Sequence, residues 1–310
     1  MMTVVTQQSA QSMTFRAMGC PITVMAVGCD QTRFELDAGR IVALAEQWEQ
    51  RFSRFRPESA LSRLNAAAGT GPQAVEPLLF DLIRRAVELS RQSGGRFNPL
   101  VLPALISAGY DRTFREVKTR AGWVAAAGAP APAIDLIELD PVTGRVGLPE
   151  GAQIDLGGIA KGAFVDAAHA LVAEHWPGGT INAGGDLRLW GVPPDGPCWR
   201  VGIEDPHHPE RDLALAEIRD PARGGAIATS GRNRRRWRTD RGPAHHLIDP
   251  RTGAPARGRI ETATVFAANA TTADVAAKTL FLSGDDLLAG TALGVTIDRY
   301  GFGTSLEGDA

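Results

Sequence analysis

Apolar residues recur at helical spacing through much of the first third of the chain. Phe34, Leu36, Ile41, Val42, Leu44, Ala45 and Trp48 outline a helix capped by Asp30 or Thr32 and ending near Phe52 to Phe55. Leu78, Leu79, Leu82, Ile83, Val87 and Leu89 outline another, from Glu76 to the Ser93-Gly94-Gly95 stop. Between them Ser59 caps one or two helical turns, and Gly69 to Pro72 form a loop. Ahead of them, Phe15, Ile22, Val24 and Val27 mark Thr14 to Val27 as a strand pair or one bent strand, broken at Met18-Gly19-Cys20-Pro21.

After Arg96-Phe97-Asn98-Pro99 turns the chain, Val101 to Tyr110 predicts a short irregular helix, because it contains Pro103 and Gly109. Ala125 to Ala133 is an Ala/Pro/Gly connector that divides two lobes. Ile134 to Leu139 and Arg145 to Leu148 form a hairpin around Asp140 to Gly144. Gly151 to Ile154 predicts a short strand ending on Asp155, then Gly157-Gly158, then a helix with Phe164, Val165, Ala168, Leu171 and Val172 on its buried face.

Beyond that helix the chain turns β-rich. Strands are expected at Thr180 to Ala183, Asp186 to Trp190, Trp199 to Glu204, Leu213 to Ile218, Ala226 to Thr229, Arg234 to Thr239, His245 to Ile248 and Thr262 to Ala268. A final helix, Thr272 to Leu282, is capped by Thr271 or Thr272. Hairpins with a few packed helices and no internal repeat predict an α+β fold with mixed or antiparallel sheets in two closely associated lobes. One catalytic domain is expected over residues 14–300, with residues 1–13 and 301–310 as flexible ends.

Composition narrows the function classes. The 310 residues are 44% hydrophobic and 22% charged, with a formal net charge of −2. Near-neutrality disfavours a general nucleic-acid or membrane-surface role. Three cysteines, Cys20, Cys29 and Cys198, have no CxxC spacing, which fits a reducing compartment without disulfide or zinc frameworks. The polar Met1 to Met13 segment has no apolar signal core, and no apolar run approaches membrane-spanning length. A soluble cytoplasmic protein is therefore expected.

The strand, glycine pair and helix start at residues 154–168 place backbone N–H groups where an anion can sit. Lys161 in the helix's first turn opposes the helix dipole, and is tolerated more easily opposite a bound anion. The segment has neither the GxxxxGK[ST] nor the GxGxxG spacing, and a simple turn with a solvated lysine is the competing reading. Asn182 to Asp186 is a glycine-rich turn between strands, either an ordinary hairpin or a close backbone approach for a ligand. His246 can move protons near neutrality, although an isolated histidine is more often structural. Asp274, in the first turns of the last helix, suits either the helix dipole or Mg²⁺. Arg234, Arg236 and Arg238 fall on one strand face, with Arg235 and Trp237 on the other, and no stacking aromatics alternate with them as a single-strand binder would want.

The order of these segments resembles the ApbE family, the FAD:protein FMN transferases. The resemblance spans roughly residues 14–284. It rests on Met18-Gly19-Cys20, Phe52 to Asn65, Gly95 to Pro99, Ile154 to Asp166, Asn182 to Asp186, Thr229-Ser230-Gly231, His246 to Gly253 and Ala273 to Lys278. It implies transfer of FMN from FAD to a Ser or Thr hydroxyl of an acceptor flavoprotein, with Mg²⁺ assisting and AMP released. It further implies that Met18 and Phe55 pack on the flavin or adenine, and that Arg96, Phe97 and Asn98 line the FAD site. Asp155, Lys161 and Ile248 would contact FAD, and the Mg²⁺ site would map to the Gly158 carbonyl, Asp274 and the position of Lys278. His246 would accept the proton, and Asp274 completes the catalytic set.

Five positions depart from the family pattern. Lys278 stands where a Thr ligand is usual, and a protonated lysine has no acceptor for Mg²⁺. Either its ammonium replaces part of the metal's charge, or Thr279 or water completes the coordination. Phe55 stands for a common Tyr, Asn98 for an Asp, and Arg232-Asn233 for an acidic-aromatic pair. Two alternative activities follow: a Mg²⁺-dependent FAD pyrophosphatase giving FMN and AMP, or a non-catalytic FAD-binding protein.

Overall fold

The first hairpin sets the frame. Ala10–Ala17 and Cys20–Val27 pair antiparallel across a two-residue turn in which Met18 and Gly19 both take positive φ, 52° and 71°. Two such residues give the turn the twist that a tight hairpin needs. The computed structural model describes residues 9–120 and 122–308. Its first strand therefore begins inside the segment expected to be a flexible end, and Gly303–Glu307 is likewise a strand. Residues 1–8 and 309–310 of the expected tails lie outside the described residues.

From that hairpin an eight-stranded, wholly antiparallel sheet extends through Gly178–Ala183, Asp186–Gly191, Ala226–Gly231, Ile260–Ala267, Thr291–Asp298 and Gly303–Glu307. Helices cover one face. Gln31–Phe52, Pro77–Gln92, Ala160–Val172 and Ala270–Ser283 bury their apolar stripes in the main core with Ile22, Val24 and Ile181 of the sheet. The opposite face presents Val27, Leu189, Ile227, Phe266 and Ile297 to Trp199, Ile203 and Ile218 of a separate hairpin, Trp199–Glu204 with Asp212–Ile218. A third, smaller cluster joins Leu102, Leu105, Tyr110, Trp237 and Ile248. The architecture is the expected α+β.

The two central helices, Ala160–Val172 and Ala270–Ser283, meet very closely. A Cβ on Gly162 would lie 2.3 Å from the Ala270 carbonyl oxygen, so only glycine permits the crossing. Asp166 fastens it: its carboxylate accepts from the Ala270 and Thr271 amides at 2.9 and 2.8 Å and from the Thr271 hydroxyl at 2.6 Å. A carboxylate here also complements the positive end of the second helix. Thr271 is thus occupied, and the cap is Asn269, whose side chain accepts from the Thr272 amide, rather than Thr271 or Thr272.

Three expected strands differ. Of Ile134 to Leu139, residues Ile134–Leu136 form a 3₁₀ turn and pairing begins only at Glu138. Ala152 to Leu156 is extended but joins no sheet. The buried Asn65 side chain takes a strand partner's place, accepting from the Ile154 amide at 2.7 Å and donating to the Ile154 carbonyl at 2.9 Å. The expected strand at His245 to Ile248 divides into Gly242–His245 and Ile248–Asp249, and His246 and Leu247 leave the ladder between them. The 125–133 connector has no regular structure, yet it is pinned. The Ala131 amide donates to the Pro250 carbonyl at 2.7 Å, and a Cβ on Gly128 would lie 1.7 Å from the Gly253 carbonyl oxygen.

Candidate active site

The sheet's glycine-rich strand ends, the start of Ala160–Val172 and the smaller apolar cluster enclose a cavity of about 530 Å³. Met18, Phe55, Arg96, Phe97, Asn98, Asp155, Gly158, Lys161, His246, Ile248, Asp274 and Lys278 all line it. Positions up to 260 residues apart in number, from Met18 to Lys278 (278 minus 18), therefore converge on one space.

The floor is made of two lysine–aspartate pairs. Lys161 reaches from the helix start to Asp186, a buried carboxylate presented by the Gly184-Gly185 turn. The turn is a plain hairpin connection between Gly178–Ala183 and Asp186–Gly191, and Gly184 lines the cavity. Lys278 sits one helical turn beyond Asp274, donating to its carboxylate and, at 3.1 Å, to its backbone carbonyl. The other Asp274 oxygen accepts from the Gly162 amide at 3.2 Å. Burial lowers the Lys161 ammonium to about 8, with the Asp274 carboxylate opposing the shift. Burial acts to raise Asp274, but Lys161 and Lys278 outweigh it and hold the carboxyl below its usual range.

The glycine turn leading into the helix is fixed by Asp155. One of its oxygens accepts from the Gly157 amide at 2.6 Å, and the other meets Arg54 Nε, also at 2.6 Å. Its own amide donates to the Pro99 carbonyl at 2.8 Å. Both carboxylate oxygens thus have protein partners, and Asp155 orients Arg54 and the turn. The Arg54 guanidinium lies 4.1 Å from the Phe55 ring centre and 4.6 Å from that of Tyr110. Its Nη2 is buried without a hydrogen-bond partner. An orphaned guanidinium nitrogen on a cavity-lining residue is a candidate donor to a ligand oxygen.

The wall above the floor is aromatic. Tyr110 stands 5.8 Å from Phe55 and 5.5 Å from Trp237, ring centre to ring centre. Trp237 Nε1 donates to the Ala108 carbonyl at 2.8 Å, which fixes the indole. Ile248 joins the same cluster. As the strand pattern predicts, Arg234, Arg236 and Arg238 are exposed while Trp237 is buried. Arg235 turns inward to the cavity, close enough for its charge to act on Lys161 and His246.

The adjacent histidines separate by role. His245 Nδ1 accepts from the Leu247 amide at 3.3 Å and its Nε2 faces the Ala256 carbonyl at 3.0 Å, so both nitrogens serve the fold. Burial brings its pKa to about 4. His246 is buried against the cavity with Nδ1 unpartnered. Burial first, then the charges of Arg235, His245 and the two lysines, holds it well below the ordinary imidazole range. It stays a neutral base at physiological pH.

The remaining expected contacts are mixed. The Met18 amide donates to Glu49 at 2.6 Å, which places the hairpin turn on the cavity rim. Arg96 is held by Asp286 at 2.6 Å. Phe97 is buried behind Gly158, where a Cβ would meet its ring at 3.1 Å. Asn98 donates to the Pro132 carbonyl and accepts from the Leu100 amide, both at 2.9 Å, so its side chain shapes the turn. Gly158, Asp274 and Lys278 do come together, but they do not fit a Mg²⁺ site. Lysine offers only donors, its ammonium already occupies Asp274, and Mg²⁺ demands oxygen ligands. Thr279 does not reach this site: it is buried, is not among the cavity-lining residues, and its hydroxyl donates back to the Val275 carbonyl at 3.1 Å. Sequence reading passed over Arg54, Tyr110, Trp237 and Arg235 as site residues. Only the inward register of Arg235 and Trp237 hinted at them.

A family model described as the ApbE family matches residues 18–293. The FAD:protein FMN transferase of Treponema pallidum is 32% identical over 272 residues, covering 79% of this chain and 70% of that protein. That of Vibrio cholerae is 30% identical over 244 residues, covering 78% and 72%. The fold matches the ApbE protein from Thermotoga maritima with a TM-score of 0.82 at 23% identity, covering 97% of each chain. It matches the flavinyl transferase ApbE of Pseudomonas stutzeri with a TM-score of 0.79 at 22% identity, over 99% of this chain and 97% of that one. The cavity's ordered motifs and this full-length match agree: the chain belongs to the ApbE family.

Proposed function

We propose that this protein transfers the FMN portion of FAD to a Ser or Thr hydroxyl of an acceptor flavoprotein, releasing AMP. The observation that carries the reading is a pair of buried, unpartnered nitrogens on cavity-lining residues, Nη2 of Arg54 and Nδ1 of His246, beside a floor bearing Lys161 and Lys278. A dinucleotide needs such a floor for its pyrophosphate and an aromatic wall for a ring. The family's name for its relatives supplies the reaction.

In this scheme the acceptor oxygen attacks the FMN-side phosphorus. A new O–P bond forms, the bridging P–O bond breaks, and AMP departs with the electron pair. The hydroxyl proton passes to neutral His246. Lys161, Lys278 and Arg235 balance charge on the pyrophosphate, in line with chemistry that depends on positioning and electrostatics. Phe55 and Tyr110 hold a ring of the substrate, Trp237 backs Tyr110, Met18 lies at the rim, and Ile248 also lines the site. Arg54, held by Asp155, donates to a substrate oxygen. Arg96, Phe97 and Asn98 shape the turn beneath. No step is assigned to Mg²⁺.

No helix among the described residues is long and apolar enough to cross a membrane. The free, buried Cys20, Cys29 and Cys198 support a reducing, cytoplasmic setting. The test is incubation with FAD and a candidate acceptor, followed by denaturing electrophoresis. Covalent flavin fluorescence on the acceptor band supports the transferase. AMP and free FMN without labelled acceptor would assign the chain to FAD hydrolysis, and bound FAD with no product would make it a binding protein.

A further inference from the structure

We propose that Lys278 is a built-in cation serving the FAD pyrophosphate in place of a divalent metal, so that this chain engages FAD without one. The inference rests on the FAD reading above and concerns how the site balances its charge.

The geometry points one way at each candidate ligand. Both Asp274 oxygens have partners, Lys278 on one and the Gly162 amide on the other, with Lys278 also 3.1 Å from the Asp274 carbonyl. The Lys278 stem lies across the glycine turn: a Cβ on Gly158 would be 3.0 Å from Lys278 Cε. A side chain at 158 would therefore displace the lysine, and the glycine makes room for it. The lysine is itself mostly buried, with its side chain 17% exposed, so its charge is poorly screened. Among the described residues no group of three or more His, Cys, Asp and Glu side chains gathers to hold a metal. A divalent ion at Asp274 would have to displace a like-charged, hydrogen-bonded ammonium. Lys161 and Arg235 line the same cavity, so a pyrophosphate bound there would face three side-chain cations.

The experiment titrates FAD into the full-length protein, following flavin fluorescence, in EDTA and in Mg²⁺, for the wild type, Lys278→Thr and Lys278→Met. The wild type is expected to bind FAD with the same Kd, within about twofold, in both buffers. Lys278→Thr, which restores an oxygen ligand, is expected to lose about ten- to hundredfold affinity in EDTA and regain it in Mg²⁺. Lys278→Met keeps the stem without the charge, and is expected to lose affinity in both buffers. Wild-type binding that tightens tenfold or more with Mg²⁺ would overturn the proposal. So would Lys278→Met binding like the wild type in EDTA. Circular dichroism of each variant separates lost affinity from lost fold. Failure of FMN transfer with FAD still bound would sink the transferase reading alone, because the binding comparison decides the role of Lys278 without turnover. No FAD binding in either buffer would sink both.

Discussion

The cavity's floor and wall are built by opposite means. The floor comes mainly from short runs, Asp155 to Lys161 and Asp274 to Lys278, joined by Asp186 from the next hairpin. The wall gathers Arg54, Phe55, Tyr110 and Arg235 from three separate parts of the chain, with Trp237 packed behind Tyr110. The floor's two lysines are each held in place by an aspartate of the protein. The wall leaves a guanidinium nitrogen unmatched beside two tilted rings, Phe55 and Tyr110. The contrast teaches a division of labour. The floor sets the charge that a pyrophosphate meets, and the wall offers contacts that only a bound ring and its oxygens complete.

Between floor and wall, His246 carries the chemistry. His246→Ala is expected to lower single-turnover FMN transfer by about 10²–10⁴-fold while leaving FAD affinity near the wild-type value. Because burial holds the imidazole neutral, wild-type transfer should show no acid limb between about pH 6 and 7. Equal losses of transfer and binding in the variant would place His246 in the wall instead.

The floor depends on a support far from the chemistry. Asn65→Ala should destabilise the fold by about 2–4 kcal/mol in urea denaturation, because it strips partners from the buried Ile154 amide and carbonyl. An unchanged midpoint would mean that water or backbone movement replaces the amide, and that the segment before Asp155 is not held this way.

Floor and wall should also separate in their response to pH. Lys161 carries its charge below about 8 and loses it above. FAD affinity is therefore expected to fall about tenfold as pH rises from about 7 to 9.5, with the bound anion shifting the fall slightly upward. Lys161→Met should flatten that fall. The smallest effect belongs to the wall: Phe55→Ala removes one ring and should weaken FAD about two- to tenfold at any pH, measured by fluorescence titration. A pH-dependent loss in Phe55→Ala would blur the distinction.

The same division explains what was legible in the sequence. Helical periodicity marked Gln31–Phe52, Pro77–Gln92 and Ala160–Val172 to within a few residues, since each buries one continuous stripe. The floor could be read because its glycines, aspartates and lysines are consecutive. Asn65 could not be assigned its role, because a side-chain amide standing in for a strand depends on a partner 89 residues away. Arg54 lay within a recognised motif but looked like any surface arginine until Asp155 and Tyr110 closed around it. Thr291–Asp298 and Gly303–Glu307 were missed because Gly294 and the charged Asp298 and Arg299 weaken their alternation, and only pairing at the sheet's edge defines them.

The central claim is transfer of FMN rather than hydrolysis or binding. Its most direct measurement is the intact mass of an acceptor flavoprotein after incubation with FAD and this enzyme, with released AMP quantified in the same sample. The account predicts an acceptor heavier by one FMN less one water, and AMP in equal molar amount. AMP released in excess over an unmodified acceptor, or no AMP at all, would contradict it.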